Sequence, residues 1–292
     1  MEQKAPRSER EKGTLYVCST PIGNLEDVTL RALRVLREVA LIAAEDTRRT
    51  RNLLRHYGIA TPITSFHAHN EAEKARYILS RLLAGDDVAL VSDAGTPLLS
   101  DPGLTLVQAA IDAGVHVAPV PGPSALLAAA VASGFRLHPL YFGGFLPRQR
   151  SARLKALQSV AQLDATLAFY EAPHRLVEML EEVAAVFPQR RVAVARELTK
   201  LHESVLWGTA GELAVHYTKK PPKGECVVLI EGPAAAEVQP GEPSDDVVRS
   251  ELEKALDSGL SKKDAVKEVA QKLGVDKKRV YRIAIAHPPQ RA

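Results

Sequence analysis

VALVSDAGTPLLSDPG, from Val88 to Gly103, joins a short β-branched run to an apolar helical pattern through a loop of small and acidic residues. The run Val88 to Val91 stops at Ser92-Asp93-Ala94-Gly95-Thr96-Pro97, and a second acidic turn follows at Asp101-Pro102-Gly103. A strand, a small-residue loop and then a helix is the arrangement by which open parallel sheets build ligand crevices outside their strand ends. Two prolines and two glycines in this loop imply a fixed backbone that a ligand can approach closely. Asp101 is placed to cap the following helix, with Pro102 at its first position.

Similar units flank this stretch. Leu15 to Cys18 reads as a first strand running into Thr20-Pro21-Ile22-Gly23, after which Leu30, Leu33, Leu36 and Val39 recur at helical spacing. A second strand, Ala40 to Ala44, ends in Glu45-Asp46-Thr47-Arg48-Arg49, and a helix from about Thr47 stops before Gly58. Ile63 to Phe66 forms a short strand, and Asn70 with Glu73 has the spacing of a capping box opening the next helix. Val115 to Val120 is the fifth strand, stopped by Pro121-Gly122-Pro123. Strands alternating with helices in this way predict an α/β domain over 13–121, a parallel sheet with helices on both faces.

Past the boundary loop, Ser124 caps an alanine-rich helix, and Arg148, Arg150 and Arg153 open another. Strand patterns fall at Leu140 to Phe145, Thr166 to Tyr170, Arg191 to Ala195, Val205 to Trp207 and Cys226 to Ile230. With a helix from His174 to Phe187 they predict a second α/β domain over 122–233 with a mixed sheet. A Pro- and Gly-rich linker at 234–243 leads to three short helical patterns in 244–292, the last two joined at Gly274 like a helix-turn-helix. The polar residues 1–12 are expected to form a frayed tail.

Composition excludes several classes. The N-terminus is too polar for a signal peptide, and no apolar stretch reaches the roughly 20 residues that span a bilayer. Cys18 and Cys226 lie far apart without CxxC or Cys/His spacing, which points to a reducing, cytoplasmic setting and to no bound metal. The whole formal excess of +3 lies in the tail, where 11 basic residues face 8 acidic ones from Ser244 onward. The third tail helix carries Lys277, Lys278, Arg279 and Arg282 with no acid, a modest signal for an anionic partner. GxxxxGK[ST], GxGxxG after the first strand and GxSxG are all absent. The loops at Thr20 to Gly23, Ser92 to Pro97, Pro121 to Ala125 and Glu171 to Pro173 carry no Lys/Arg cluster for a polyphosphate, and their carboxylates and backbone groups suit a nucleoside-like ligand with a positive centre.

TPIGNLEDVTLRAL, AAEDTRRTRNLL, HAHNE, VSDAGTPLLSDPG, PGPSA, FYEAPHRL and GECVVLIEG stand in this order and resemble the RsmI family. Members are bacterial S-adenosylmethionine-dependent methyltransferases acting on a cytidine ribose 2′-oxygen in the 16S rRNA decoding centre, within the tetrapyrrole methylase superfamily. The resemblance implies two α/β domains with the cofactor in the cleft between them, a homodimer, and a helix-turn-helix extension. Carried over by position, Pro21 and Ile22 would line the pocket, and Asp93, Gly95, Thr96 and Pro97 would hold the ribose and amino acid part. Ser124 and Ala125 would meet the methionine end, while Glu171, Ala172 and Leu198 would close the adenine side. Ala68 stands where relatives often have Glu, so that position is not expected to be catalytic.

A ribose hydroxyl is a weak nucleophile that a base or cation would assist. Glu45, His69, Glu171, His174 and Lys200 are the candidates, all at predicted strand ends. Arg48, Arg49, Arg148 and Arg196, with the basic tail helix, are candidates for gripping rRNA phosphates of the small ribosomal subunit. Two alternatives remain open at this point: a precorrin-type methylase of the same fold, and an RNA-binding adaptor without catalysis.

Overall fold

The computed structural model describes residues 12–233, 245–258 and 260–286. The expected tail, apart from its last residue, and the expected linker lie outside the described residues. The chain divides after Gly232 into two compact units.

In the larger unit, β1 (Thr14–Cys18), β2 (Leu41–Ala44), β3 (Ile63–Ser65), β4 (Val88–Val91) and β5 (His116–Val120) make an all-parallel sheet in the order β3-β2-β4-β1-β5. β2 and β4 are buried along their whole length, as a strand covered on both faces requires. Ile42, Ala44, Ala89 and Val91 pack with α1 (Leu30–Glu38) and α2 (Thr47–His56). Leu41, Ala43, Val88 and Leu90 pack with α3 (Glu71–Leu83) and α4 (Leu104–Asp112) on the opposite face. The loops leaving neighbouring β1 and β4 therefore part toward opposite faces. They open a crevice at the carboxyl ends of those strands, which is where doubly wound sheets bind ligands.

The same unit holds a second sheet of order β6-β7-β10-β8-β9, built from β6 (Leu140–Phe145), β7 (Thr166–Glu171), β8 (Arg191–Arg196), β9 (Ser204–Thr209) and β10 (Cys226–Ile230). β6 and β7 run parallel and the other neighbours antiparallel, so the sheet is mixed as expected. One face packs on α6 (Arg150–Ser159), α7 (Leu176–Val186) and α8 (Ala210–Lys219). The other presents Ala168, Ala193 and Ala195, small enough for the alanine-rich α5 (Ala125–Ser133) to lie close, and Ile22 from the first half packs there too. Beneath α6, the buried Arg153 guanidinium donates to Glu182 through Nη2 (2.8 Å) and to the Arg148 carbonyl (3.1 Å).

Three local expectations are corrected. Asp101 does not cap α4: the N-cap is Gly103, at φ 133°, and Asp101 turns elsewhere. Asn70 makes no cap bond to α3, because its Oδ1 is taken by the His67 N–H (2.8 Å). The helix after Pro173 starts as a 3-10 turn, Pro173–Arg175, before α7. α8 was not read from the sequence, although Thr209 and Glu212 form a reciprocal capping box at its start.

The smaller unit consists of α9 (Asp245–Asp257), α10 (Lys262–Leu273) and α11 (Lys277–Ala286) around Val248, Leu252, Val269 and Val280. Ser261 caps α10, and Gly274 ends it in the left-handed conformation (φ 64°) that turns the chain into α11. Arg279 on α11 is tied to Asp245 on α9 (2.6 Å). Among the described residues no helix is long and apolar enough to cross a membrane.

Candidate active site

Where the β1/β4 crevice meets the second sheet, a cavity of about 300 Å³ opens. Its first wall is the loop after β4. Gly95 and Thr20 exchange backbone hydrogen bonds (2.8 and 2.9 Å), clamping the β4 loop to the β1 loop. Gly95 has φ 80°, and a Cβ there would lie 3.3 Å from Ile22, so the backbone itself forms a cradle. The Thr96 hydroxyl reaches Ser19 Oγ (2.9 Å) and the Pro123 carbonyl (3.2 Å), adding the loop after β5 to the same clamp.

The opposite wall comes from the second sheet. Glu197 and Thr199 adopt φ of 51° and 66°, uncommon for residues with side chains. This turn carries Leu198 and Lys200 to the cavity, and Lys200 Nζ pairs with Glu197 (2.8 Å). The Lys200 stem crosses to the first half: a Cβ on Gly23 would lie 2.5 Å from Lys200 Cγ.

Five carboxylates, Glu45, Asp93, Asp101, Glu197 and Glu225, line the cavity against two cations, Arg49 and Lys200. Asp93 Oδ1 accepts the Asp46 N–H (2.8 Å), and its Oδ2 lies 3.6 Å from Arg49. Burial pushes the Glu45 carboxyl above its ordinary pKa, reinforced by Asp101 and Asp93. Burial does the same for Asp101, with Asp93 and Glu225 adding to it.

Of the residues singled out from sequence, Ile22, Asp93, Gly95, Thr96, Ala125 and Leu198 meet in this cavity, together with Glu45, Arg49 and Lys200. Others lie apart from it. Pro97 is buried beneath the loop, and Ser124 caps α5 by accepting from Leu127 N–H (3.5 Å). Glu171 is fully buried, its Oε1 accepting from Ala172 N–H (2.8 Å) and its Oε2 3.3 Å from Arg175. His69 and His174 are exposed. Arg48 is held by Asp46 (2.8 Å), Arg148 is exposed, and Arg196 is half-buried near Tyr217 and Cys226. Glu197, Glu225, Tyr170 and Phe145 also line the cavity and were not singled out. The β8–β10 pairing of Arg196 with Cys226 places Glu197 and Glu225 side by side.

Pro21 lines a second cavity of about 260 Å³, with Thr20, Leu25, Thr50, Asn52, Leu53 and Ser92, and this cavity shares Arg49 and Asp93 with the first.

The larger cavity suits a nucleoside with a positive centre. Ile22, Ala125, Leu198 and the Tyr170 ring offer apolar surface, and the carboxylates offer acceptors for hydroxyls and a cation. Comparison with known proteins agrees. The tetrapyrrole (corrin/porphyrin) methylase profile matches residues 14–214, and the profile of the RsmI C-terminal HTH domain matches residues 242–287. A protein of Pseudomonas aeruginosa named ribosomal RNA small subunit methyltransferase I is 47% identical, over 94% of this chain and 97% of its own. The namesake in Halalkalibacterium halodurans is 43% identical, over 96% and 98%. The chain belongs to the RsmI family. It is a methyltransferase that uses S-adenosylmethionine, and the donor set of the cavity fits that cofactor.

Solved structures extend the fold beyond RsmI. Uroporphyrin-III C-methyltransferase of Thermus thermophilus superposes with a TM-score of 0.53 at 21% identity, covering 75% of this chain and 94% of that one. A diphthine synthase gives 0.57 at 15%, covering 75% and 89%. At these identities the likeness is one of fold alone.

Proposed function

We propose that this RsmI-family chain methylates the ribose 2′-oxygen of a cytidine in the decoding centre of 16S rRNA, on the small ribosomal subunit, as a cytoplasmic homodimer. The observation that carries the reading is near-full-length similarity to proteins named as small-subunit rRNA methyltransferases, joined to a negatively charged cavity at the crevice. The bound cofactor supplies an electrophilic methyl group, so the protein's task is positioning and exclusion of water.

Asp93, Gly95 and Thr96 hold the ribose and amino acid part, with buried Pro97 and the Thr20–Gly95 clamp keeping their backbone in place. Ile22 lines the pocket on the loop that Pro21 turns beside the second cavity, Ser124 orders the start of α5 that brings Ala125 to the methionine end, and Glu171, Ala172 and Leu198 serve the adenine side. Glu171 serves by ordering the turn that presents Ala172, since its own carboxylate is buried. Glu45 is the candidate base best supported by position: it lines the cavity, and its raised proton affinity favours accepting the 2′-hydroxyl proton. Lys200, also at the cavity, stabilises the developing oxyanion; exposed His69 and His174 serve RNA contact more readily than proton transfer.

Arg49, Arg148, Arg196, Lys277, Lys278 and Arg282 grip phosphates. Arg48 and Arg279 join them by exchanging Asp46 and Asp245 for phosphate. The test is transfer of labelled methyl to small subunits from a strain lacking the gene, followed by mass mapping of the 16S rRNA. One methyl on a decoding-centre cytidine ribose is expected; an unmodified rRNA, or a methyl on a base, overturns the proposal.

A further inference from the structure

We propose that the second cavity, beneath α2, receives the target nucleotide of the RNA, and that the Arg49–Asp93 pair is the partition between it and the cofactor cavity. This rests on the RNA-methylating reading above. Three observations carry it.

The first is adjacency. The two cavities share only Arg49 and Asp93 among their lining residues, and both open at the carboxyl ends of β1, β2 and β4. Asp93 is fixed by the Asp46 N–H at 2.8 Å, whereas the exposed Arg49 reaches it only at 3.6 Å. A guanidinium at that distance can leave the carboxylate for a phosphate, which joins the two spaces without moving the backbone. A ribose on one side would then face the reacting methyl on the other.

The second is the lining. Leu25, Leu53 and Pro21 give apolar surface for the faces of a base and sugar, beside the Thr50 hydroxyl, while the Thr20 and Ser92 hydroxyls are turned to loop carbonyls and hold the floor in shape. The Leu25 carbonyl is pinned by the Tyr57 hydroxyl at 2.6 Å, so this wall is preformed. Asn52 Oδ1 accepts from Arg55 (2.9 Å), which leaves its NH₂ for an acceptor on a base edge. At about 260 Å³ the space lies just under the usual range for small-ligand sites, suited to one nucleoside and too small for a tetrapyrrole.

The third is charge. α2 carries Arg48, Arg49, Arg51 and Arg55 and no acid; all four arginines are exposed, and Arg49 lines the cavity itself. Phosphates on either side of a single extruded nucleotide would meet this helix while the base enters beneath it. Reading an unstacked base in a pocket while gripping its flanking phosphates is how RNA is recognised when its duplex grooves cannot be.

The experiment measures methyl transfer to small subunits from a strain lacking the gene, with cofactor affinity measured separately by calorimetry. Leu25→Trp fills the cavity from a partly exposed position, and Asn52→Ala removes the amide from a surface helix without disturbing the core. Each is expected to lower kcat/KM for the subunit by about tenfold or more while the Kd for S-adenosylmethionine stays within about twofold. Wild-type kcat/KM in both variants overturns the assignment, as does a parallel loss of cofactor affinity, which would make the space part of the cofactor site. A wild-type protein that transfers no methyl to the subunit instead defeats the RNA-methylating reading, and this inference with it.

Discussion

Glu45 and Asp101 both hold their protons to higher pH in the folded chain than a free carboxyl does, because burial and neighbouring carboxylates disfavour the charge. The stability they contribute is therefore present at acid pH and lost as pH rises through their raised values. A cationic ligand reverses the preference and draws both groups toward the ionised form. Affinity for S-adenosylmethionine is accordingly expected to rise with pH across the mildly acidic range, with protons released on binding. Calorimetry in buffers of different ionisation enthalpy measures that release. Asp101→Asn should shrink it, and an unchanged release assigns the protons elsewhere. Asp93 and Thr96 were legible in the sequence because a single small-residue loop holds them. Asp101 was misread because Asp-Pro-Gly imitates a helix cap, and Glu197 and Glu225 were missed because only antiparallel pairing of distant strands brings them together.

At the scale of elements, the loop from β4 to α4 is held from outside itself. Glu71, first residue of α3, accepts the Gly103 N–H (3.0 Å) and the Thr105 hydroxyl, tying the start of one helix to the start of the next. The same loop presents Asp101 to the cavity. Glu71→Ala is expected to weaken cofactor binding about fivefold, the worth of about one hydrogen bond, with Glu71→Gln recovering part of it. Titration of both variants with S-adenosylmethionine checks this; equal affinities in both and in wild type would show that the loop holds its shape unaided. The parallel sheet was readable because its buried strands are short β-branched or apolar runs separated by helical periodicity. α8 was not, since its stripe of Ala210, Leu213, Ala214 and Tyr217 spans only two turns and half of it is alanine, and its clearest mark is the Thr209–Glu212 capping pair. The alanines at 168, 193 and 195 are equally silent in sequence: only the sheet shows that they make room for α5.

For the whole molecule, the division after Gly232 separates the unit that holds the carboxylate-lined cavity from three helices, the last of which carries Lys277, Lys278, Arg279 and Arg282 and no acid. Truncation at about Pro240 should weaken small-subunit binding about tenfold at moderate salt and flatten its salt dependence, because phosphate contacts are lost. Cofactor affinity should be unchanged; filter binding and calorimetry on the same preparation decide, and loss of both refutes an accessory role. The architecture as a whole was legible from seven short motifs in one order. The site was legible in its first half and at Leu198 and Lys200, while the rest of the second wall is assembled from residues far apart in the chain. The charge of the cavity has one more effect. Methyl transfer leaves the cofactor's sulfur as a neutral thioether, one positive charge fewer, and five carboxylates facing two cations offer the product less than they offer the sulfonium. The charge surplus around the cavity thus favours exchange of spent cofactor for fresh and limits inhibition of the enzyme by its own by-product.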